Sequence, residues 1–363
     1  MAIEIIAELG QTMEGSVERA IEGVHAFADA GATGIKVQWL QPKLIASDAA
    51  ARYWETNDAV SQSAAFAKAG MIAYDKWAPV LEACEDAKVE FITTPFDLEA
   101  VLFWLWYKDD GYPIRTLKVA SGDITNHMLL DAVGEAADRV ILSTGGATLD
   151  EIGRAVDVLI GTHSPDPESL HYGVDDEPRC EVVLLACSLE YPTPAERANL
   201  RRIRTLIDVP PLCGPAGTRF PVGYSDHTEG NWGGHHAVLC GATLVEKHVT
   251  LGGDPTKVAD HAMGLLPDDF AEYADGVWAA QEILGDGVMG VHEGEHAAVQ
   301  GARRGLYASQ TIEVGDFFTD QNVIAKRPAP IIDVHAGAEY WFAIAGTASP
   351  CRYDKNEPIL RSP

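Results

Sequence analysis

Eight short apolar runs, separated by stretches of helical periodicity, recur over the first 250 residues of the chain. They read IEIIAEL (3–9), GIKVQWL (34–40), EFITTPF (90–96), TLKVASG (116–122), RVILSTG (139–145), EVVLLAC (181–187), FPVGYSDH (220–227) and TLVEKHVT (243–250). Amphipathic patterns follow most of them, as at 16–30, 149–160 and 195–207. A strand buried on both faces reads as a near-continuous hydrophobic run. Such strands alternating with helices therefore predict an α/β fold built on a covered parallel sheet. Eight units at this spacing predict a (β/α)8 barrel. An open dinucleotide-binding sheet is disfavoured because no run leads into a G-x-G-x-x-G turn.

The runs end in chemistry rather than in turn residues. Their tips carry Glu8, Lys36 and Gln38, Thr93 and Thr94, Lys118 with Ser121 and Asp123, Ser143 and Thr144, Ser188, Ser225 with Asp226 and His227, and Glu246 with His248. In a barrel the C-terminal ends of the strands converge on one mouth, where active sites lie. Lysines and histidines flanked by Ile, Val and Leu are not turn chemistry. His227 and His248 then face a common centre from neighbouring strands, each beside a carboxylate (Asp226, Glu246). That pattern points to a divalent-metal site, with structural hydrogen-bonded histidines as the alternative. No thiolate cluster accompanies them, which disfavours structural zinc.

Cations are scarce: Lys plus Arg is 27 against 54 for Asp plus Glu, a net charge of −27. Such a surface repels nucleic acid, and no basic run offsets it. Lys36 and Lys118 are two of only eleven lysines and lie between apolar neighbours. A desolvated ammonium needs an anion to compensate it. Two roles stay open: a Schiff-base nucleophile of the class I aldolase kind, or a cationic clamp for phosphate or carboxylate. Glu8 and Asp123 are candidates for acid/base work or for binding substrate hydroxyls, and equally for salt bridges.

No stretch approaches the roughly 18 apolar residues of a membrane span, and the start MAIEIIAELG shows no basic region or small-residue cleavage site of a signal peptide, so a cytoplasmic protein is expected. The six cysteines show no paired spacing and read as reduced thiols. We expect a barrel domain over 1–285, a Gly-rich linker over 286–299 and a small β-rich domain over 300–363. The segment 41–73 lies on the mouth side as a candidate cover, and the acidic insert 161–180 lies on the opposite face. HEGEH (292–296) matches a zinc-protease pattern, but that motif needs a helix, and Gly294 argues against one.

The ordered stretches IIAELGQTMEGS, GIKVQ, ITTPFD, LKVASGDITN, ILSTGG, YPTP, GYSDHT, EKHVT and VADHAMGLLPDDF resemble the N-acetylneuraminate (sialic acid) synthase family. The stretch ARRGLYASQTIEVGDFFTDQNVIAKRP resembles its C-terminal antifreeze-like (SAF) domain. The resemblance implies condensation of phosphoenolpyruvate with an N-acylated amino-sugar aldehyde to give a nonulosonic 2-keto acid and phosphate. It implies His227 and His248 as ligands of a divalent cation, manganese first, with magnesium and cobalt as alternatives. It implies Lys36, Thr94, Lys118, Ser121, Ser143 and Ser225 as the phosphoenolpyruvate site. Glu8, Gln38, Tyr191 and Asp260 would meet the sugar, with Asp123 near the reacting centre. Arg327 would reach the sugar from the partner subunit of a domain-swapped homodimer. The chain departs from the family pattern at Thr12-Met13, Leu189, Gly264 and Ala329, all around the acceptor, which implies an acceptor other than N-acetylmannosamine or one bound differently. An aldolase, or a binding protein without catalysis, are the competing readings.

Overall fold

The computed structural model describes residues 3–51, 61–162, 178–208, 219–328 and 335–361. The chain divides into two compact units, Met1–Gly285 and Asp286–Pro363.

The first unit is a closed barrel of eight parallel strands in sequence order. They are β1 (Glu4–Gly10), β2 (Gly34–Trp39), β3 (Glu90–Pro95), β4 (Thr116–Val119), β5 (Arg139–Ser143), β6 (Glu181–Ala186), β7 (Val222–Asp226) and β8 (Leu244–His248). β8 pairs back onto β1, with Glu8 opposite both His248 and Lys36. Each strand falls within an apolar run predicted from the sequence, except that β1 continues one residue further, to Gly10. Two layers of apolar side chains explain why. Outward-facing residues such as Ile5, Val37, Leu117 and Val140 pack under the helices. Inward-facing Ile6, Ile92, Ile141, Val183, Leu185 and Leu244 fill the barrel interior. The interior is therefore a packed core that closes off the floor of the mouth.

At the opposite end of the barrel, Arg139 is buried and forms a two-pronged pair with Glu4, at 2.8 and 2.7 Å, with Glu90 at 3.5 Å. Arg139→Met is expected to lower stability by ~2 kcal/mol, less than for a fully buried pair because Glu4 is partly hydrated. Chemical denaturation checks this, and ligand affinity at the far mouth is expected to be unchanged.

The helical pattern at 195–207 is broken in the structure. A 3-10 turn (Ala195–Arg197) is followed by Asn199 at φ 46°, and the helix begins only at Arg201. Asn tolerates this left-handed conformation, and the periodicity gave no sign of the interruption. The segment 41–73 holds short helices at Pro42–Ile45 and Gln62–Ala69, while 52–60 lies outside the described residues. Most of the acidic insert, 163–177, lies outside them too, as do Cys213 and Ala329. Cys84, Cys180, Cys187, Cys240 and Cys351 are unpaired thiols. No helix among the described residues is long and apolar enough to cross a membrane.

The second unit has its own core of Leu306, Ala308, Ile312, Phe318, Val323, Ala336, Ile344, Tyr353 and Ile359. Its antiparallel pair, β9 (Gly305–Ala308) and β10 (Val323–Lys326), is surrounded by turns and isolated bridges. The expected linker is not wholly irregular: a 3-10 turn (Glu293–Glu295) leads into a helix (His296–Ala302). His292 precedes this helix and His296 starts it, so the two do not share the helical face a zinc-protease motif requires.

Candidate active site

The strand tips enclose a cavity of about 410 Å³ in the barrel unit. Lys36, Gln38, Thr94, Lys118, Ser121, Ser143, Tyr191, Ser225, His227, His248 and Asp260, all singled out from the sequence, line it. Parallel register explains the convergence. Glu8, Lys36 and His248 are cross-strand partners, as are Gln38 with Thr94 and Ser225 with Glu246.

The floor is a buried charge cluster. Lys36 Nζ lies 2.5 Å from Glu8 Oε2 and 3.6 Å from Glu246 Oε1, and donates to Thr94 Oγ1 at 3.3 Å. Burial works to lower the Lys36 pKa, but Glu246 and Glu8 outweigh it and hold the ammonium above its ordinary value. Of the two carboxyls, burial pushes Glu8 up against the pull of Lys36. Burial also opposes the charge on Glu246, yet Lys118, Lys36 and the Ser225 hydroxyl together hold it down at about 2. Glu246 is therefore the more firmly ionised of the two carboxyls on the floor.

Lys118 is held differently. Its Nζ donates to Ser143 Oγ at 2.6 Å and to the Val119 carbonyl at 3.1 Å. No carboxylate lies within 4.0 Å of it among the described residues. Burial pushes its pKa down, and Glu246 only partly offsets this. A buried ammonium bonded only to neutral groups is poised to receive an anion. Ser121 completes this side, its Oγ accepting from the Gly145 amide at 3.0 Å and lying 3.0 Å from Cys187 Sγ.

The adjoining wall carries the histidines, with ring centroids 5.6 Å apart. His227 Nδ1 lies 2.6 Å from the Ser188 carbonyl, so it is the protonated nitrogen and Nε2 keeps the lone pair. Burial, followed by the proximity of His248, pushes His227 down to about 3, which keeps the ring neutral with its Nε2 lone pair unprotonated. The Ser225 hydroxyl, 3.2 Å from Nε2, donates its proton to Glu246 at 2.9 Å, leaving that lone pair available. His248 Nδ1 is buried without a hydrogen bond, 3.7 Å from Asp260 Oδ2. Two buried imidazoles, one with an orienting carbonyl and one with an orphaned nitrogen, fit a divalent cation. No set of three or more His, Cys, Asp or Glu side chains is arranged to hold a metal among the described residues, so further positions would fall to water or substrate. Tyr191 stacks on His227 at 4.1 Å.

Two expected site residues are absent from the cavity wall, and a third, Arg327, is expected to act from a partner subunit. Glu8 is fully buried and absent from the cavity wall, because it lies behind Lys36 and Gln38, accepting from Gln38 Nε2 at 2.9 Å. Asp123 ends the 3-10 turn after β4 and accepts from Asn126 at 3.2 Å, and it too is absent from the wall. Arg327 lies in the second unit, exposed just after β10. Gln11, Phe66, Phe96, Lys257 and Met263 line the cavity without having been singled out. They come from loops and a short helix, where no periodicity marks a side chain as inward. Glu246 was marked only as a neighbour of His248, although it proves to be the carboxylate between the two lysines.

Of the departures from the family pattern that fall among the described residues, Leu189 alone lies in the cavity wall. Thr12 is buried and donates to the Leu9 and Val249 carbonyls at 2.6 and 3.1 Å. Met13 belongs to the core. Gly264 is packed so tightly that a Cβ there would meet Val249 backbone at 2.9 Å.

Known proteins extend this picture. An N,N'-diacetyllegionaminic acid synthase of Campylobacter jejuni is 28% identical over 344 residues, spanning 94% of this chain and 95% of that protein. A pseudaminic acid synthase of the same species is 26% identical over 333 residues, spanning 90% and 87%. The solved N-acetylneuraminic acid (sialic acid) synthetase of Leptospira borgpetersenii, in complex with citrate, matches at 27% identity with a TM-score of 0.65, over 82% of this chain and 90% of that one. The NeuB family model matches residues 23–289, which take in seven of the eight barrel strands, and the chain belongs to that family.

Proposed function

We propose that the chain condenses phosphoenolpyruvate with an N-acylated amino-sugar aldehyde to give a nonulosonic 2-keto acid and phosphate. The observation that carries this reading is one cavity with two differently held lysines on its floor and two cation-ready imidazoles on its wall. Similar proteins named as sialic, legionaminic and pseudaminic acid synthases support it.

Lys118, with Ser143, Ser121, Thr94 and Ser225, would hold the phosphate and carboxylate of the donor, while Lys36 keeps Glu246 in place beneath them. His227 and His248 would hold a divalent cation, manganese first, which when bound supplies Lewis-acid polarisation of the acceptor aldehyde. The C3 carbon of the donor bonds to the aldehyde carbon, whose oxygen takes a proton. Water adds at C2, and phosphate leaves with cleavage of the C2–O bond, which balances the reaction. Gln38, Tyr191 and Asp260 face the cavity where they can orient the sugar. Glu8 would act by fixing Gln38 and Lys36, and Asp123 from the rim.

The test is phosphate release from phosphoenolpyruvate with manganese across a panel of amino-sugar aldehydes. Release that needs an acceptor and stops with chelator is expected, and no release with any acceptor would refute the reading. Borohydride with pyruvate is expected to leave the chain mass unchanged, and a labelled lysine would establish the aldolase instead.

For the acceptor, the wall formed by Leu189, Phe66, Phe96 and Met263 is apolar. We expect a 2,4-diacetamido hexose to be preferred over N-acetylmannosamine, its second acetamido methyl meeting this wall. The Leu189 side chain offers a sugar hydroxyl no hydrogen bond but can pack against a methyl, whereas a polar side chain there would favour the hydroxyl. Leu189→Asn is expected to shift the ratio of kcat/KM values towards N-acetylmannosamine by roughly tenfold or more. A strong wild-type preference for N-acetylmannosamine would refute the assignment.

The second unit would be an SAF domain whose Arg327 completes the site of a partner in a domain-swapped cytoplasmic homodimer. Mixing inactive His227→Ala and Arg327→Ala chains is expected to restore activity, because half of the sites in a mixed dimer would be intact. No recovery after subunit exchange would refute the swap.

A further inference from the structure

Residues alternate along β7 and β8, so the side chains between the site residues point away from the cavity. Ser225 and His227 face in while Asp226 faces out, and Glu246 and His248 face in while Lys247 faces out. Asp226 and Lys247 are cross-strand partners, and both are completely buried. Lys247 Nζ lies 3.4 Å from Asp226 Oδ2 and donates to the Thr228 carbonyl. Asp226 Oδ1 accepts from the amide and hydroxyl of Thr228, at 2.9 and 2.6 Å. Thr228, next to His227, is thus gripped by both members of the pair.

The grip extends into the site. Thr228 bridges to Thr193, whose amide donates to the His227 carbonyl at 2.8 Å. Two residues earlier, Tyr191 stacks on the His227 ring. Room for the pair comes from the helix Gly233–Leu239, since a Cβ on Gly233 would run into the Asp226 carboxylate. Elsewhere among the described residues the outward layer towards the strand tips carries no ion pair, with uncharged residues such as Val37, Trp39, Thr93, Val119 and Leu142. A buried ion pair adds little stability over an apolar pair of the same volume. Stability alone therefore gives no reason for this one to stand directly behind the two imidazoles.

We propose that Asp226 and Lys247 are positioning residues, fixing the ends of β7 and β8 so that His227 and His248 are held at cation-binding separation. This rests on the cation site proposed above. The variants are Lys247→Met and the neutral pair Asp226→Asn/Lys247→Met, in which Asn can still accept from Thr228. Manganese binding to the enzyme without substrate is followed by electron paramagnetic resonance, alongside the melting temperature. Lys247→Met is expected to lower both. The neutral pair is expected to recover the melting temperature but to bind manganese about 10–100-fold more weakly than wild type, the usual effect of losing groups that orient metal ligands. Wild-type affinity in the neutral pair would overturn the proposal.

Two controls make every outcome decisive. If Lys247→Met and the neutral pair do not fold, Lys247→Arg keeps the charge but changes its reach, and unaltered manganese affinity there would overturn the proposal. If His227→Ala binds manganese as well as wild type, the cation site itself is wrong. The hydrogen-bonded Nδ1–H proton of His227 then reports its position by NMR. Loss or displacement of that resonance in the neutral pair supports positioning, and an unchanged resonance overturns it.

Discussion

Replacing His227 by Ala is expected to reduce manganese-dependent phosphate release by about 10²–10³-fold, the scale on which a group serving the transition state electrostatically contributes. The imidazole is neutral, with its pKa held near 3 by burial, and its Nδ1 is committed to the Ser188 carbonyl. Nε2 is then a fixed lone pair, and with His248 it is one of two nitrogens turned to the same space. With the polarising group gone, phosphoenolpyruvate would still find Lys118 and the hydroxyls. Donor binding, measured by calorimetry, should therefore fall much less than turnover. Equal loss of donor affinity and turnover would instead place His227 in the donor site.

The second large effect separates the two lysines. Lys118→Met is expected to raise KM for phosphoenolpyruvate by about 10²–10³-fold, because it removes a desolvated cation from an anion site at a loss of roughly 3–4 kcal/mol. It should lower the melting temperature only slightly, since its direct partners are neutral and burial works against its charge. Glu246 loses one favourable charge but keeps Lys36 and Ser225. Lys36→Met should do the reverse in part. It strips the counter-ion from Glu8 and Glu246, both buried, so the melting temperature is expected to fall. That fall should be smaller at low pH: Glu8 already has a raised pKa, and with the ammonium gone its neutral form persists to higher pH, so stability is lost as pH rises through that value. Thermal melts of both variants between pH 5 and pH 8 check the contrast.

Much of the site was legible because a parallel barrel turns sequence position into spatial position. The polar residues at the ends of the apolar runs are carried to the same end of the barrel, so Lys36, Lys118, Ser143, Ser225, His227 and His248 could be gathered without knowing a single contact. Loop residues carry no such rule. Lys257 and Met263 follow β8 in a segment without regular period, and Phe66 lies on a helix of eight residues, so nothing local marks them as facing inward. The broken helix near Asn199 and the short helix at His296–Ala302 escaped notice for the same reason.

By itself the sequence determined the number and order of the strands, the end of the barrel that is chemical, and the surplus of acid over base that leaves each buried lysine significant. The tertiary structure decided who partners whom. It put Glu8 behind Lys36 rather than in the cavity, Glu246 between two ammoniums, Lys118 against neutral groups, and Asp226 against Lys247 behind the histidines. The reason is physical: hydrophobic periodicity encodes only which face a residue takes. The charge state and task of a buried ionisable group depend on neighbours from strands far away in sequence, brought within a few ångströms by the register of the closed sheet.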